Sequence, residues 1–408
     1  MITPQSRPDA PTLRDARALD ALDELAPLRK RFALPDGIVY FDGNSLGALV
    51  DTVPATMNEV ITGEWGTNLI RSWFDDGWWD APLRVGDLIA PILGCAEGQV
   101  VVGDSVSVQL FNLLTAGVRL NPGRARILVD ADVFPSDHYI ASSVARLLNV
   151  ELTPVPMADL PQELAARDGD TAVVLASAVD FRSGERWDIG EITRRCHDAG
   201  ALVLWDLCHA VGAIPVGLDE HRVDLAVGCS YKYLSGGPGA PAFCYIAARH
   251  HDAIDLPLTG WHGHQRPFGF AGDYVPAQGI SRARVATPHI LSMRALEESL
   301  AVFRDAPIGL IRAKNLALAR FFFACLDALA PERGVGCITP REDRRRGSQV
   351  TVTHARSDDI MRGLLERGVI CDQRPPDLLR FGFNALYVSF EDVFTGVRAL
   401  AETVADLT

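Results

Sequence analysis

Between about residues 98 and 245 the chain repeats one pattern, in which a short continuous run of apolar, β-rich residues is followed by a helical segment and then by another run. The runs read "GQVVVGD", "ARILVDADVF", "VELTPVP", "TAVVLASAV", "ALVLWDLCHA", "VDLAVGCS" and "PAFCYIAA", with segments such as "IGEITRRCHDAG" between them. A strand with one wet face alternates apolar and polar residues. Runs that do not alternate belong to strands covered on both faces, so helices must flank a largely parallel sheet. The pattern therefore predicts an α/β domain whose ligands gather at the C-terminal ends of the strands.

On either side the texture changes. A polar, Pro-containing arm leads into "RDARALDALDELAPLRKRF", with apolar residues at helical spacing. From about residue 290 a long helical stretch runs through "IRAKNLALARFFFACLDAL". Strand-like "GSQVTVTH", helical "SDDIMRGLLERG", strand-like "VICDQRP" and a closing helix "FEDVFTGVRALAETVADL" follow. This order predicts a large α/β domain over 41–289 and a smaller α+β domain formed by 1–40 and 290–408.

Charge and cysteine usage narrow the partners. The formal charge of −13 offers no basic field for phosphate backbones or anionic membranes, so neither nucleic acid nor membrane is expected as a partner. "REDRRRG", Arg341 to Gly347, reverses the sign locally and reads as a solvated loop. The eight cysteines are scattered without paired spacing, as expected for reduced core thiols in a cytoplasmic chain. The start has no apolar h-region, and no stretch is long and apolar enough for a membrane span. His262, His264, His250, His251 and the pair Cys208-His209 lack the ligand spacing of a zinc site, so no metal is expected.

The chemistry points to one lysine. Of 39 Lys+Arg, only residues 30, 232 and 314 are lysine. Arginine keeps its proton near neutrality, whereas a lysine in apolar surroundings can lose it and act as a nucleophilic amine. Lys232 follows an apolar run and sits between Tyr231 and Tyr233. Asp206 ends another apolar run and is followed by His209; a buried acid there needs a partner. A lysine paired with an ordinary carboxylate would explain Lys232 alone. An amine and an acid at neighbouring strand ends suit pyridoxal 5'-phosphate, whose aldehyde the amine binds as a Schiff base and whose ring nitrogen the acid keeps protonated. Ser105 and Ser107 open a helix whose N–H groups can cradle a phosphate, although serine is also an ordinary N-cap. The glycines of "SGGPGA" lack the G-K-[ST] ending of a P-loop and read as a turn.

"YFDGNSLGAL", "FPSDHY", "WDLCHAVG", "CSYKYLSGGPG" and "GWHGH" together resemble kynureninase, in the aspartate aminotransferase-like group (fold type I) of pyridoxal phosphate enzymes. The motifs keep the family's order from about residue 40 to 390. The resemblance implies a homodimer that hydrolyses L-kynurenine to anthranilate and L-alanine by β,γ-carbon–carbon cleavage, in tryptophan catabolism and the kynurenine pathway toward NAD biosynthesis. It implies that Lys232 bears the cofactor, that Asp206 faces the ring nitrogen, that Phe134 stacks on the ring and that Asp137 is a second carboxylate beside it. Val106, Ser107, Ser177, His209 and Tyr231 would line the cofactor and its phosphate, with Tyr231 also passing a proton. Trp261 and Thr287 would complete the site across the dimer interface. Arg380 would clamp the substrate carboxylate, with Ser45 and Trp65 also at the substrate. Two positions depart from the family: "ATPHI" has Thr287 where Asn-Pro-Pro is common, and the Trp65 region has no histidine. "SYKYL" with an upstream "D-x-x-H" is shared loosely with cysteine desulfurases. A lyase of that kind, or a non-catalytic pyridoxal phosphate sensor, is the alternative; the first needs an acceptor cysteine on a mobile loop and the second a DNA-binding segment.

Overall fold

The apolar runs form one seven-stranded sheet in the computed structural model, which describes residues 10–167, 169–330 and 334–407. After a short first strand, β1 (Val39–Tyr40), they are β2 (Val100–Val102), β3 (Arg126–Asp130), β4 (Glu151–Val155), β5 (Thr171–Ser177), β6 (Leu202–Asp206), β7 (Leu225–Gly228) and β8 (Phe243–Ile246). The order across the sheet is β2-β8-β7-β6-β5-β3-β4. Strands β3 to β7 are parallel, and β8 is antiparallel to both its neighbours. Every residue of β5 is buried. Val174 and Ala176 enter the hydrophobic cluster on one face, Val173 and Leu175 the cluster on the other. Burial of both faces explains the lack of alternation, and each large aliphatic so buried contributes about 1.5–3 kcal/mol.

A further cluster joins the two ends of the chain. Ala16, Leu25 and Phe32 pack with Phe322, Phe381, Val397 and Leu400. Beside them lie β9 (Gly336–Cys337), β10 (Gln349–Thr353), β11 (Val369–Ile370), β12 (Asp372–Arg374) and β13 (Leu378–Gly382). The sheet β12-β13-β10-β9 is antiparallel throughout, and β1 pairs in parallel with β11.

Two expectations are corrected. The helical stretch from about 290 divides into the helices Ile290–Leu300 and Ile308–Leu329. Pro307 has no N–H to continue the ladder, and its ring drives Ala306 out of the helical region, to φ −133°. In "REDRRRG", Arg341, Glu342, Arg344 and Arg345 are exposed, but Arg346 is fully buried. Its guanidinium donates to the Arg341 carbonyl, pairs with Asp343 and lies 5.3 Å from the Phe323 ring centroid. A planar, weakly hydrated cation that can stack tolerates this burial. Residues 1–9 of the polar arm lie outside the described residues. Among the described residues no helix is long and apolar enough to cross a membrane.

Candidate active site

The C-terminal ends of β5, β6 and β7 stand side by side, and the polar residues that interrupt their apolar runs meet there. Ser177 and Asp206 are register partners at the ends of β5 and β6, and the chain leaving β7 carries Tyr231 and Lys232. The "GNSLG" loop closes on this segment. Gly47 N donates to the Tyr231 carbonyl at 2.8 Å, and a Cβ at 47 would stand 2.3 Å from the Lys232 carbonyl oxygen. Glycine is required because the two backbones touch. On the other side Asp104, at φ 53°, turns the chain into the helix Val106–Leu120. A non-glycine residue in the left-handed region stores strain of the kind found at functional sites.

These segments enclose a cavity of about 420 Å³. Ser45, Val106, Ser107, Phe134, Asp137, Ser177, Asp206, His209, Tyr231, Lys232 and Arg380 all line it. Three residues singled out in the sequence do not. Trp65 is exposed in the segment Val60–Asn68, and Trp261 is 41% exposed on a short turn. Thr287 is exposed beside a separate small cavity lined by Asp104 and His262.

The electrostatics follow from burial and from the neighbours. Lys232 Nζ lies 2.9 Å from His209 Nε2. Burial, and then Lys232 itself, push His209 well below the usual histidine range, so the imidazole is neutral. Burial and the Asp206 carboxylate push Asp137 well above the usual carboxylate range, so Asp137 holds a proton. Asp206 Oδ1 accepts from Cys208 N at 2.8 Å. Burial, with the Cys229 and Cys208 thiols alongside, raises Tyr231, so its phenol keeps its proton through neutral pH.

On the wall of the cavity Arg380 is already engaged. Its Nη1 donates to the Phe181 carbonyl at 2.6 Å, and its Nη2 donates to Ser45 Oγ at 3.2 Å and pairs with Asp372. Asp372 also accepts from Ser45 Oγ at 2.6 Å and from Arg374 Nη1 at 2.7 Å. Asp372 and Arg380 face each other in the antiparallel register of β12 and β13. Sequence reasoning missed the cavity-lining Asn44, Asp104, Phe181 and Arg374, and Asp372 and Asp42, which both accept from the cavity-lining Ser45. The signal was present in "CDQRPPDLLRFGF", where Asp372 and Arg374 share one face of a short strand.

The donor set fits pyridoxal phosphate. Ser105 Oγ caps Val108 N at 3.4 Å, which leaves the first N–H groups of a fifteen-residue helix, those of Val106 and Ser107, for an anion. Phe134, 43% exposed, lines the cavity with an aromatic ring, and the buried Asp206 offers a carboxylate to a cation. Asp137 Oδ2 and His209 Nδ1 are buried polar atoms without a hydrogen-bond partner among the described residues, as expected where a polar group of a ligand belongs.

Comparison with known proteins agrees. Solved structures with this fold include cysteine desulfurases from Escherichia coli, with a TM-score of 0.79 at 19% identity covering 94% of this chain and 99% of that one, and from Thermococcus onnurineus, with 0.78 at 18% covering 93% and 98%. At such identities the likeness shows the fold alone. The profile of the kynureninase C-terminal domain matches residues 311–400. The kynureninase of Deinococcus radiodurans is 45% identical over 96% of this chain and 96% of its own length, and that of Pseudomonas fluorescens 41% over 96% and 95%. Identity at that level, sustained over nearly the whole of both chains, means that the chain belongs to the kynureninase family.

Proposed function

We infer that the chain is a pyridoxal phosphate-dependent hydrolase that cleaves L-kynurenine to anthranilate and L-alanine. The carrying observation is the convergence of Lys232, Asp206 and the N-terminus of the helix Val106–Leu120 on one cavity that Arg380 also lines. When bound, the cofactor supplies an aldehyde that holds an amine covalently and a protonated ring that stores an electron pair.

The chain's own residues do the rest. Asp206 keeps the ring nitrogen protonated, and the neutral Asp137 beside it adds no second charge. Arg380 receives the substrate carboxylate, a bidentate task suited to its fork, while Asp372 and the Phe181 carbonyl fix the guanidinium plane. Lys232 Nζ takes the proton from the substrate α-carbon and returns it. Tyr231, protonated through neutral pH, is a donor for the later steps. Ser45 Oγ joins Arg380 at the substrate end. Phe134, Ser177 and His209, which line the same cavity, would help to hold the cofactor ring.

The same reading takes 41–289 as the large cofactor-binding domain and 1–40 with 290–408 as the small one; the cluster joining Ala16 and Phe32 to Val397 and Leu400 supports the latter. It takes the enzyme as a homodimer, supported by the exposed aromatics Phe74, Trp261 and Phe268, gathered around the half-buried Trp79: Phe74 on Trp79 at 6.2 Å, Trp79 on Trp261 at 5.3 Å and Phe74 on Phe268 at 6.0 Å. Trp65, Trp261 and Thr287 would then reach the site of the second copy. Free thiols at all eight cysteines support a cytoplasmic place. There the enzyme would serve tryptophan catabolism, with its aromatic product or the hydroxylated analogue leading toward NAD.

The test is release of anthranilate and alanine from L-kynurenine by the purified, cofactor-loaded chain. Binding of the cofactor without turnover would turn the reading toward a sensor.

A further inference from the structure

Arg374 lines the cavity and has no role in the reading above. It lies on β12 two residues beyond Asp372, so the two side chains share one face of the strand. Its Nη1 donates to Asp372 Oδ1 at 2.7 Å and to the Gln373 carbonyl at 3.0 Å. The other oxygen of that carboxylate, Oδ2, accepts from Ser45 Oγ at 2.6 Å and pairs with Arg380 Nη2. One acid, its side chain 10% exposed, therefore joins two cavity-lining arginines through different oxygens.

This arrangement constrains Arg380. A guanidinium meets a carboxylate with two N–H groups along either of two edges, Nε–Nη2 or Nη1–Nη2, and Nη2 belongs to both. Here Nη2 already serves two acceptors, Asp372 Oδ2 and Ser45 Oγ at 3.2 Å. Nε is buried without a hydrogen-bond partner among the described residues, so the unused donor lies beside an occupied one. A substrate carboxylate can fill the fork only if Nη2 is released to it, and that release separates a buried acid from its cation.

Arg374 supplies the second cation for that acid. Without it, among the described residues only the Ser45 hydroxyl would still donate to the Asp372 side chain once Arg380 turned to the substrate. A carboxylate left so, beside an incoming carboxylate, is far less stable than one that keeps a charge-assisted bond.

We propose that Arg374 is a positioning residue for the substrate carboxylate: it keeps hold of Asp372 by Oδ1 while Arg380 Nη2 passes from Asp372 to the substrate. In the empty site Asp372 stands where the substrate carboxylate will be and keeps Arg380 aligned. In the filled site it belongs to Arg374, and the Phe181 carbonyl still holds Arg380 Nη1.

The proposal rests on the reading of Arg380 as the substrate-carboxylate site, and its test separates the two. The cofactor-loaded chain is titrated with L-alanine and with ethylamine, which is alanine without its carboxylate, and binding is followed by the absorbance of the cofactor. Wild type is expected to bind alanine more tightly; equal affinities overturn the reading of Arg380 and this proposal with it. Arg374→Met should weaken alanine by about tenfold or more, less than the loss of a fully buried pair because the Arg374 side chain is 36% exposed, and should change ethylamine by less than about threefold. In kynurenine turnover the loss should fall on KM more than on kcat. Asp372→Asn leaves no charge to strand, so adding Arg374→Met in that background should weaken alanine by less than about threefold. The proposal is wrong if Arg374→Met weakens both ligands alike, weakens neither, or weakens alanine as much in the Asp372→Asn background as in wild type. If Arg374→Met does not fold, a crystal structure of the loaded wild type with alanine decides. Asp372 paired with Arg374 and parted from Arg380 supports the proposal, and Asp372 still paired with Arg380 overturns it.

Discussion

Lys232 Nζ and His209 Nε2 stand 2.9 Å apart although their residues leave different strands of the sheet. Adjacent parallel strands, β6 and β7, bring them together. The hydrogen-bond partner of this lysine is therefore a neutral ring, no acid among the described residues forms an ion pair with it, and the amine is placed to meet a carbonyl carbon.

Lys232→Arg keeps the charge but cannot form the covalent link. Turnover is expected to fall by about three orders of magnitude or more. Borohydride reduction of the loaded wild type followed by peptide mapping should mark Lys232. Marking of the exposed Lys30, or of Lys314, which is buried against Asp23 at 2.6 Å, would sink the assignment.

Asp206→Asn leaves the shape of the cavity intact and removes the charge proposed to keep the ring nitrogen protonated. Cofactor binding should persist in part while kcat drops by about two orders of magnitude or more. Near-normal turnover in this variant would show that another group faces the ring.

Asp42 is expected to make stability depend on pH. Burial, opposed by a hydrogen bond from Ser45 and reinforced by Asp372, lifts it to about 6. An unfolded aspartate titrates near about 3.9, so the folded chain binds this proton more tightly than the unfolded one. The resulting penalty is absent below about pH 4, grows as pH rises and is complete above about pH 6, reaching at most about 3 kcal/mol. Asp42→Asn should gain stability at pH 8 and nothing at pH 4. Urea unfolding at the two pH values measures this, and an equal effect at both contradicts it.

Substrate preference follows from what could read a ring hydroxyl. Trp65 has one N–H to donate, and Thr287 is short; both stand exposed and outside the cavity of a single chain. A site without a placed partner for the hydroxyl gains nothing from it. The ratio of kcat/KM for L-kynurenine over 3-hydroxykynurenine should exceed one in a common buffer, and a ratio at or below one would show that these positions do not set the choice.

Much of the site could be read before folding was considered, because its residues interrupt local patterns. Asp206 ends an apolar run, Lys232 is isolated among arginines, and Ser105 precedes a helical period. Gln349 could not be read in this way. It sits in a short strand of the smaller sheet, where a polar residue looks like an ordinary outward-facing position.

Taken alone, the order of apolar runs determined a both-faces-covered parallel sheet, and periodicity determined the flanking helices, since both depend only on which neighbours along the chain are apolar. The tertiary structure decided which polar groups meet. The antiparallel register of β12 and β13 set Asp372 against Arg380, and the approach of β10 and the "GNSLG" loop brought Gln349 and Asn44 together. Burial then decided charge, leaving His209 neutral, Asp137 protonated and Arg346 inside a run that reads as solvated. Contacts hundreds of residues apart, and the desolvation they impose, have no local signature, because they arise only when sheets are placed against one another.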